Sequence, residues 1–111
     1  MAIIRIDARR LTDVASLHAA LAEVFGFGAT YGKNLDALVD CLTHLDDPKA
    51  AMSRVQVLPG QLALIALDHA GGRSKQVAAQ IAALGDAIAF VNWRRLEHGQ
   101  GPVVALAYGA N

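Results

Sequence analysis

The chain has 111 residues, in which ten Lys and Arg balance ten Asp and Glu, and a single cysteine. That length suits one domain, 1–111, with a real hydrophobic core; the balanced charge excludes a global field for nucleic acid or an anionic membrane, and a lone cysteine excludes an internal disulfide. No run of about 18 apolar residues spans a bilayer, and MAIIRIDARR lacks the order of basic, apolar and cleavable regions of a secretory signal, so the chain reads as soluble and cytoplasmic.

Ala2 to Ile6 is a short apolar run interrupted by Arg5 and ending at Asp7, and its β-branched content predicts a first strand. Thr12 or Asp13 can cap a helix in which Val14, Leu17, Leu21, Val24 and Phe25 recur at helical spacing before Gly26 stops it. His18 lies beside that apolar stripe, where a lone histidine is read as packed or locally hydrogen-bonded, with no chemistry assigned.

The stretch from Gly26 to Leu45 carries most of the plausible chemistry. Gly26, Gly28 and Gly32 turn the chain without matching a phosphate-cradling fingerprint, and leave Thr30 and Tyr31 beside the next helix start, with Tyr31 either displayed or buried. Asn34 can cap that helix. Leu35, Leu38, Cys41, Leu42 and Leu45 then fall in one apolar arc, and Asp36, Asp40, Thr43 and Asp47 in a narrow stripe opposite, flanked by Val39. Carboxylates at i and i+4 repel by roughly 0.2 to 0.5 kcal/mol on an exposed helix, so stability alone would not select Asp36 and Asp40; a cationic partner would.

Pro48 predicts the end of this helix after Leu45. Lys49 to Gln61 offers either a helical turn or a minor strand at Arg54 to Leu58, before the Pro59-Gly60 turn. Leu62 to Leu67, LALIAL, is apolar enough for a central strand covered on both faces, closed by Asp68, His69, Gly71 and Gly72. Ser74 can cap a helix through Leu84 that Gly85 stops, and Asp86 can cap another through Leu96, with Arg94 and Arg95 at its C-terminal end. Val103 to Tyr108 is the last strand. Apolar strands separated by helical crossovers predict an α/β fold, a small three-stranded parallel sheet covered by helices.

The motif YGKNLDALVDCLT, Tyr31 to Thr43, closely resembles the barstar family of intracellular ribonuclease inhibitors, and the likeness extends back through Leu11, Leu17, His18, Leu21 and Phe25. The resemblance implies a barstar-like α/β fold and no enzymatic activity; His44, Asp47 and His69 form no recognised ligand spacing, so no metal and no cofactor are expected. The resemblance also implies that the second helix and the loop before it block the active site of an extracellular-type ribonuclease or nuclease toxin, with no direct nucleic-acid or membrane partner. Carried over by position, the partner-binding residues are Thr30, Tyr31, Asn34, Asp36, Val39, Asp40, Thr43 and His44, with Asp40 the central acid. The departures are specific: Thr30 replaces a family aromatic, Val39 and Leu45 stand at tryptophan positions, Arg94 or Arg95 lies near a family acidic contact, and 49–61 reads as an insertion. These differences favour, as the alternative, a barstar-like interaction module with a non-nuclease partner. A third class, an enzyme with a Cys41–His44 thiolate pair at i and i+3, conflicts with the place of Cys41 in the apolar arc.

Overall fold

The computed structural model describes residues 1–71 and 74–109. Three parallel strands, β1 (Ala2–Asp7), β2 (Ala63–Asp68) and β3 (Val104–Tyr108), form one sheet with β2 in the centre. Helices α1 (Val14–Phe25) and α2 (Leu35–Thr43) lie between β1 and β2, and α3 (Lys75–Glu97) lies between β2 and β3. This is the expected α/β architecture. In register, Ile4, Ile65 and Leu106 form one row across the sheet, and Ile6, Leu67 and Tyr108 the next.

The capping chemistry places the helix starts. Asp13 accepts from the Ser16 amide at 2.7 Å, Asn34 from Ala37 at 2.8 Å and Ser74 from Val77 at 3.2 Å. Each satisfies an amide that has no partner inside its helix. Gly26, at φ 69°, closes α1 in the left-handed conformation that glycine adopts without strain. A short 3-10 turn at Ala8–Arg10, which the sequence pattern did not predict, follows β1 and buries Ala8.

Six expectations need correction. Burial alternates along β2, where Ala63, Ile65 and Leu67 are buried and Leu64, Ala66 and Asp68 only half so; the central strand is therefore fully covered on one face, not two. On the open face Ile3 is exposed, and Arg5 reaches across to Asp68 at 2.7 Å. The two helices expected on either side of Gly85 are a single helix, because the buried positions Val77, Ile81, Leu84, Ile88, Val91 and Arg95 continue past Gly85 and Asp86 at unbroken helical spacing. Packing of that stripe outweighs the roughly 1 kcal/mol that a mid-helix glycine costs.

Helix α2 ends at Thr43, two residues before Leu45. The Thr43 carbonyl accepts from the Arg95 guanidinium at 2.7 Å, and the Leu45 carbonyl from the Val57 amide at 3.0 Å, so tertiary donors take the acceptors that would end a longer helix. Asp47 consequently leaves the acidic stripe and accepts from the Lys49 amide instead. Leu35 does not join the core: it opens α2 at the core's margin and is 44% exposed. Residues 49–61 form neither helix nor strand; they are stitched to the helix ends by amides of Arg54 and Val55 on the Phe25 carbonyl and by Ser53 Oγ on the same oxygen. Of the turn closing β2, Gly72 lies outside the described residues.

Candidate protein-binding face on the second helix

The loop before α2 is held by an aromatic stack. Phe25 and Phe27 stack at 5.4 Å between ring centroids, Phe27 meets Tyr31 at 4.7 Å, and the Tyr31 hydroxyl lies 2.6 Å from Nδ1 of His18. Tyr31 is half-buried, between the two alternatives the sequence left open. Burial, with a smaller contribution from Cys41, raises its phenol well above the ordinary value, so it stays protonated. Lys33 sits at φ 56° immediately before the Asn34 cap, a conformation uncommon for a side chain larger than Asn or Asp. The loop is thus tied to the core through Tyr31 and to the helix through Asn34.

From this start α2 presents its acids. Asp36 and Asp40 are exposed, and Asp36 lies in the first turn, where the helix dipole favours a carboxylate. Asp40 stands between two hollows. On one side it lines a cleft of about 290 Å³ with Thr30 and Tyr31, whose far wall is Ala50, Ala51 and Met52. On the other it lines a groove of about 840 Å³ with Asp36 and Val39, whose far wall belongs to α3. The 49–61 segment, whose role the sequence did not disclose, therefore walls the cleft opposite Tyr31.

The remaining candidates are more constrained. Thr43 is half-buried and its hydroxyl donates to the Val39 carbonyl at 2.6 Å, so that proton is committed within the helix. His44 turns back onto α2, with Nδ1 at 2.8 Å from the Asp40 carbonyl and 3.5 Å from its Oδ1. Asn34 spends its side-chain oxygen on the cap. Val39 is half-buried and packs against the core edge. The eight positions therefore line one face of α2 and its loop, with Thr30, Asn34, Asp36 and Asp40 exposed and the other four half-buried.

Cys41 is buried, and its thiol is pushed up by burial and then by the nearby Asp40 carboxylate, the opposite of what a nucleophile needs. His44 bonds to Asp40, not to Cys41. Among the described residues, no group of three or more His, Cys, Asp or Glu could hold a metal ion. No helix among them is long and apolar enough to cross a membrane.

Of Arg94 and Arg95, the sequence placed either near a partner contact; the structure separates them. Arg95 is buried, bonding Asp46 through two nitrogens at 2.7 and 3.0 Å and reaching the carbonyls of Thr43 and Gly101. It clamps the C-terminal ends of α2 and α3 together. Arg94 is exposed, over the Phe90 ring at 5.6 Å.

Residues 1–99 match the family described as Barstar (barnase inhibitor). The chain belongs to the barstar family. No match to the chain occurs among curated proteins. Family membership implies a ribonuclease as protein partner and an inhibitor's role, and it agrees with the three parallel strands and three helices of this fold.

Proposed function

We propose that the chain is an intracellular immunity protein that blocks the active site of a ribonuclease or nuclease toxin with the exposed acidic face of α2. The observation that carries this reading is Asp40, which projects between two hollows on a helix whose start is fixed by the Asn34 cap and the Tyr31–His18 bond. A ribonuclease site gathers cationic donors to hold a polyanion. Carboxylates one helical turn apart satisfy those donors through charge-assisted hydrogen bonds, and no phosphodiester is present to be cleaved. Thr30, Tyr31, Asn34, Val39, Thr43 and His44 border the contact and exclude water from it.

The local geometry explains why the balanced net charge is no obstacle. Among the described residues, His44 is the one cation-forming side chain within ion-pair distance of Asp40, and none is within that distance of Asp36. The acidic field is therefore local to α2. A second reading, a barstar-like module with a non-nuclease partner, draws its support from Arg94, a cation on the groove where α3 meets α2.

The test pairs two immobilised baits, the native chain and the Asp36→Ala/Asp40→Ala chain, after circular dichroism has shown equal folding. Each is exposed to an extract of the source organism and the released protein is assayed for ribonuclease activity. The native bait should retain at least about tenfold more ribonuclease than the variant, since breaking close charge pairs at an interface costs more than 1.4 kcal/mol. Equal recovery, or a partner without nuclease activity, would remove the active-site mechanism.

A further inference from the structure

The groove between α2 and α3 has a chemistry of its own. Its floor is apolar, with Leu35 and Val39 on one helix and Phe90 on the other, and Leu35 and Phe90 remain 44% and 43% exposed. Trp93, 56% exposed, adjoins it through a ring contact with Phe90 at 5.9 Å. Large apolar side chains gathered in contact with water mark an interaction surface.

The groove is also electrically divided. The Arg95 bond to the Thr43 carbonyl brings the C-terminal ends of the two helices together, while Leu35 and Asp36, at the N-terminal end of α2, share the groove with Ala83 and Asp86. The helices therefore run side by side in the same direction. Asp36 and Asp86 mark one end of the groove, Asp40 stands one turn further along α2, and Arg94, the one cation in the lining, marks the other end, eight residues or about 12 Å beyond Asp86 along α3. Among the described residues, neither Asp36 nor Asp86 has a cation within ion-pair distance, and Arg94 has no carboxylate. Phe90 holds the Arg94 guanidinium over the groove by a cation–π contact.

We propose that this groove receives an amphipathic helix of the protein partner. Its apolar side chains lie on the Leu35, Val39 and Phe90 floor, a Lys or Arg pairs with Asp36 and Asp86, and an Asp or Glu about two turns away pairs with Arg94. The mode is a helix laid into an apolar groove, with the charges setting its register. The inference rests on the reading of α2 as a partner-binding element and adds α3 as a second wall of the same interface.

Three alanine-based peptides of about 15 residues, long enough to sample a helix, test it. Each carries two Leu at i and i+4, flanked two turns apart by Lys and Glu, by Lys and Lys, or by Glu and Glu. Trp93 is the only tryptophan in the chain and its ring lies 5.9 Å from Phe90, so its emission reports occupancy of the groove. The mixed-charge peptide should bind about three to ten times tighter than either like-charged one, the range expected of partly exposed charge pairs. Arg94→Glu, a change at an exposed side chain, should transfer the preference to the two-lysine peptide by a similar factor.

No saturable emission change with any peptide, or a preference that Arg94→Glu leaves unmoved, would overturn the groove proposal while leaving the ribonuclease capture result to stand by itself. A preference that follows Arg94, in a chain whose bait recovers no ribonuclease, would support the groove and remove the ribonuclease reading.

Discussion

At the scale of single residues, His18 joins stability to the binding loop. It is 1% exposed, its Nδ1 is engaged by Tyr31, and its Nε2 is buried with no hydrogen-bond partner among the described residues. Protonation would bury a charge with one N–H unsatisfied, and burial accordingly lowers the pKa of His18 below the usual histidine value. The sign follows from proton counting: between the lowered folded value and the ordinary value of about 6.5, the unfolded chain binds the extra proton, so stability falls as pH drops through that window and levels off below the folded value. Urea midpoints should therefore decline between pH 7.5 and 5 by about a histidine's share of the slope, and His18→Gln should flatten that decline. A slope unchanged in the variant would assign the effect to another group. Cys41 should follow the same logic of burial and alkylate at least about tenfold more slowly in the native chain than in denaturant. The sequence placed both side chains correctly, His18 as packed or locally bonded and Cys41 in the apolar arc, because both lie in the middle of their helices' apolar stripes, whereas Leu35, at the end of the same arc as Cys41, is exposed.

At the scale of elements, what was readable divides between starts and ends. Helix starts are local: Asp13, Asn34 and Ser74 cap with their own side chains, within three residues of the amides they satisfy. Asn34→Ala should cost about 1 kcal/mol and loosen the loop carrying Tyr31, seen as a lower unfolding midpoint and faster amide exchange in α2. Ends and continuity are not local. Helix α2 stops where Arg95 and Val57 take its acceptors, and both donors are distant in sequence. Gly85 does not interrupt α3; a Cβ there would meet only Leu106 at 4.0 Å, an ordinary contact. Gly85→Ala should therefore raise stability by about 0.5 to 1 kcal/mol, and a destabilised variant would mean that the helix needs glycine's freedom at that point.

At the scale of the whole molecule, the Asp46–Arg95 pair sets how α2 sits against α3, and so the shape of the groove. Its side chains are 17% and 5% exposed. Asp46→Ala would leave Arg95 buried without its countercharge, and should cost about 3 to 5 kcal/mol by chemical denaturation, because the remaining charge is desolvated and unpaired. Asp46→Leu with Arg95→Met should restore much of that loss while weakening partner binding, since the helix ends lose the bond that registers them. A double variant no better than the single one would show that the hydrogen bonds from Arg95 to the Thr43 and Gly101 carbonyls matter more than the charge.

From the residues alone came the order of strands, the caps Asp13, Asn34 and Ser74, the parallel α/β class, most of the buried stripe of α1 and α2, and the exposed acids Asp36 and Asp40. These follow from side-chain period and capping, which act over a few residues. Only the tertiary structure decided that α3 is unbroken, that the sheet has an open face, that Leu35 and Phe90 face a groove, that Arg95 is structural while Arg94 is exposed, and that 49–61 walls the cleft. Each of these depends on which atoms from distant parts of the chain meet: the α3 stripe is periodic in the sequence, but its packing decides that it outweighs Gly85, and a hydrogen bond such as Arg95 to Thr43 leaves no periodic trace in the residues that make it.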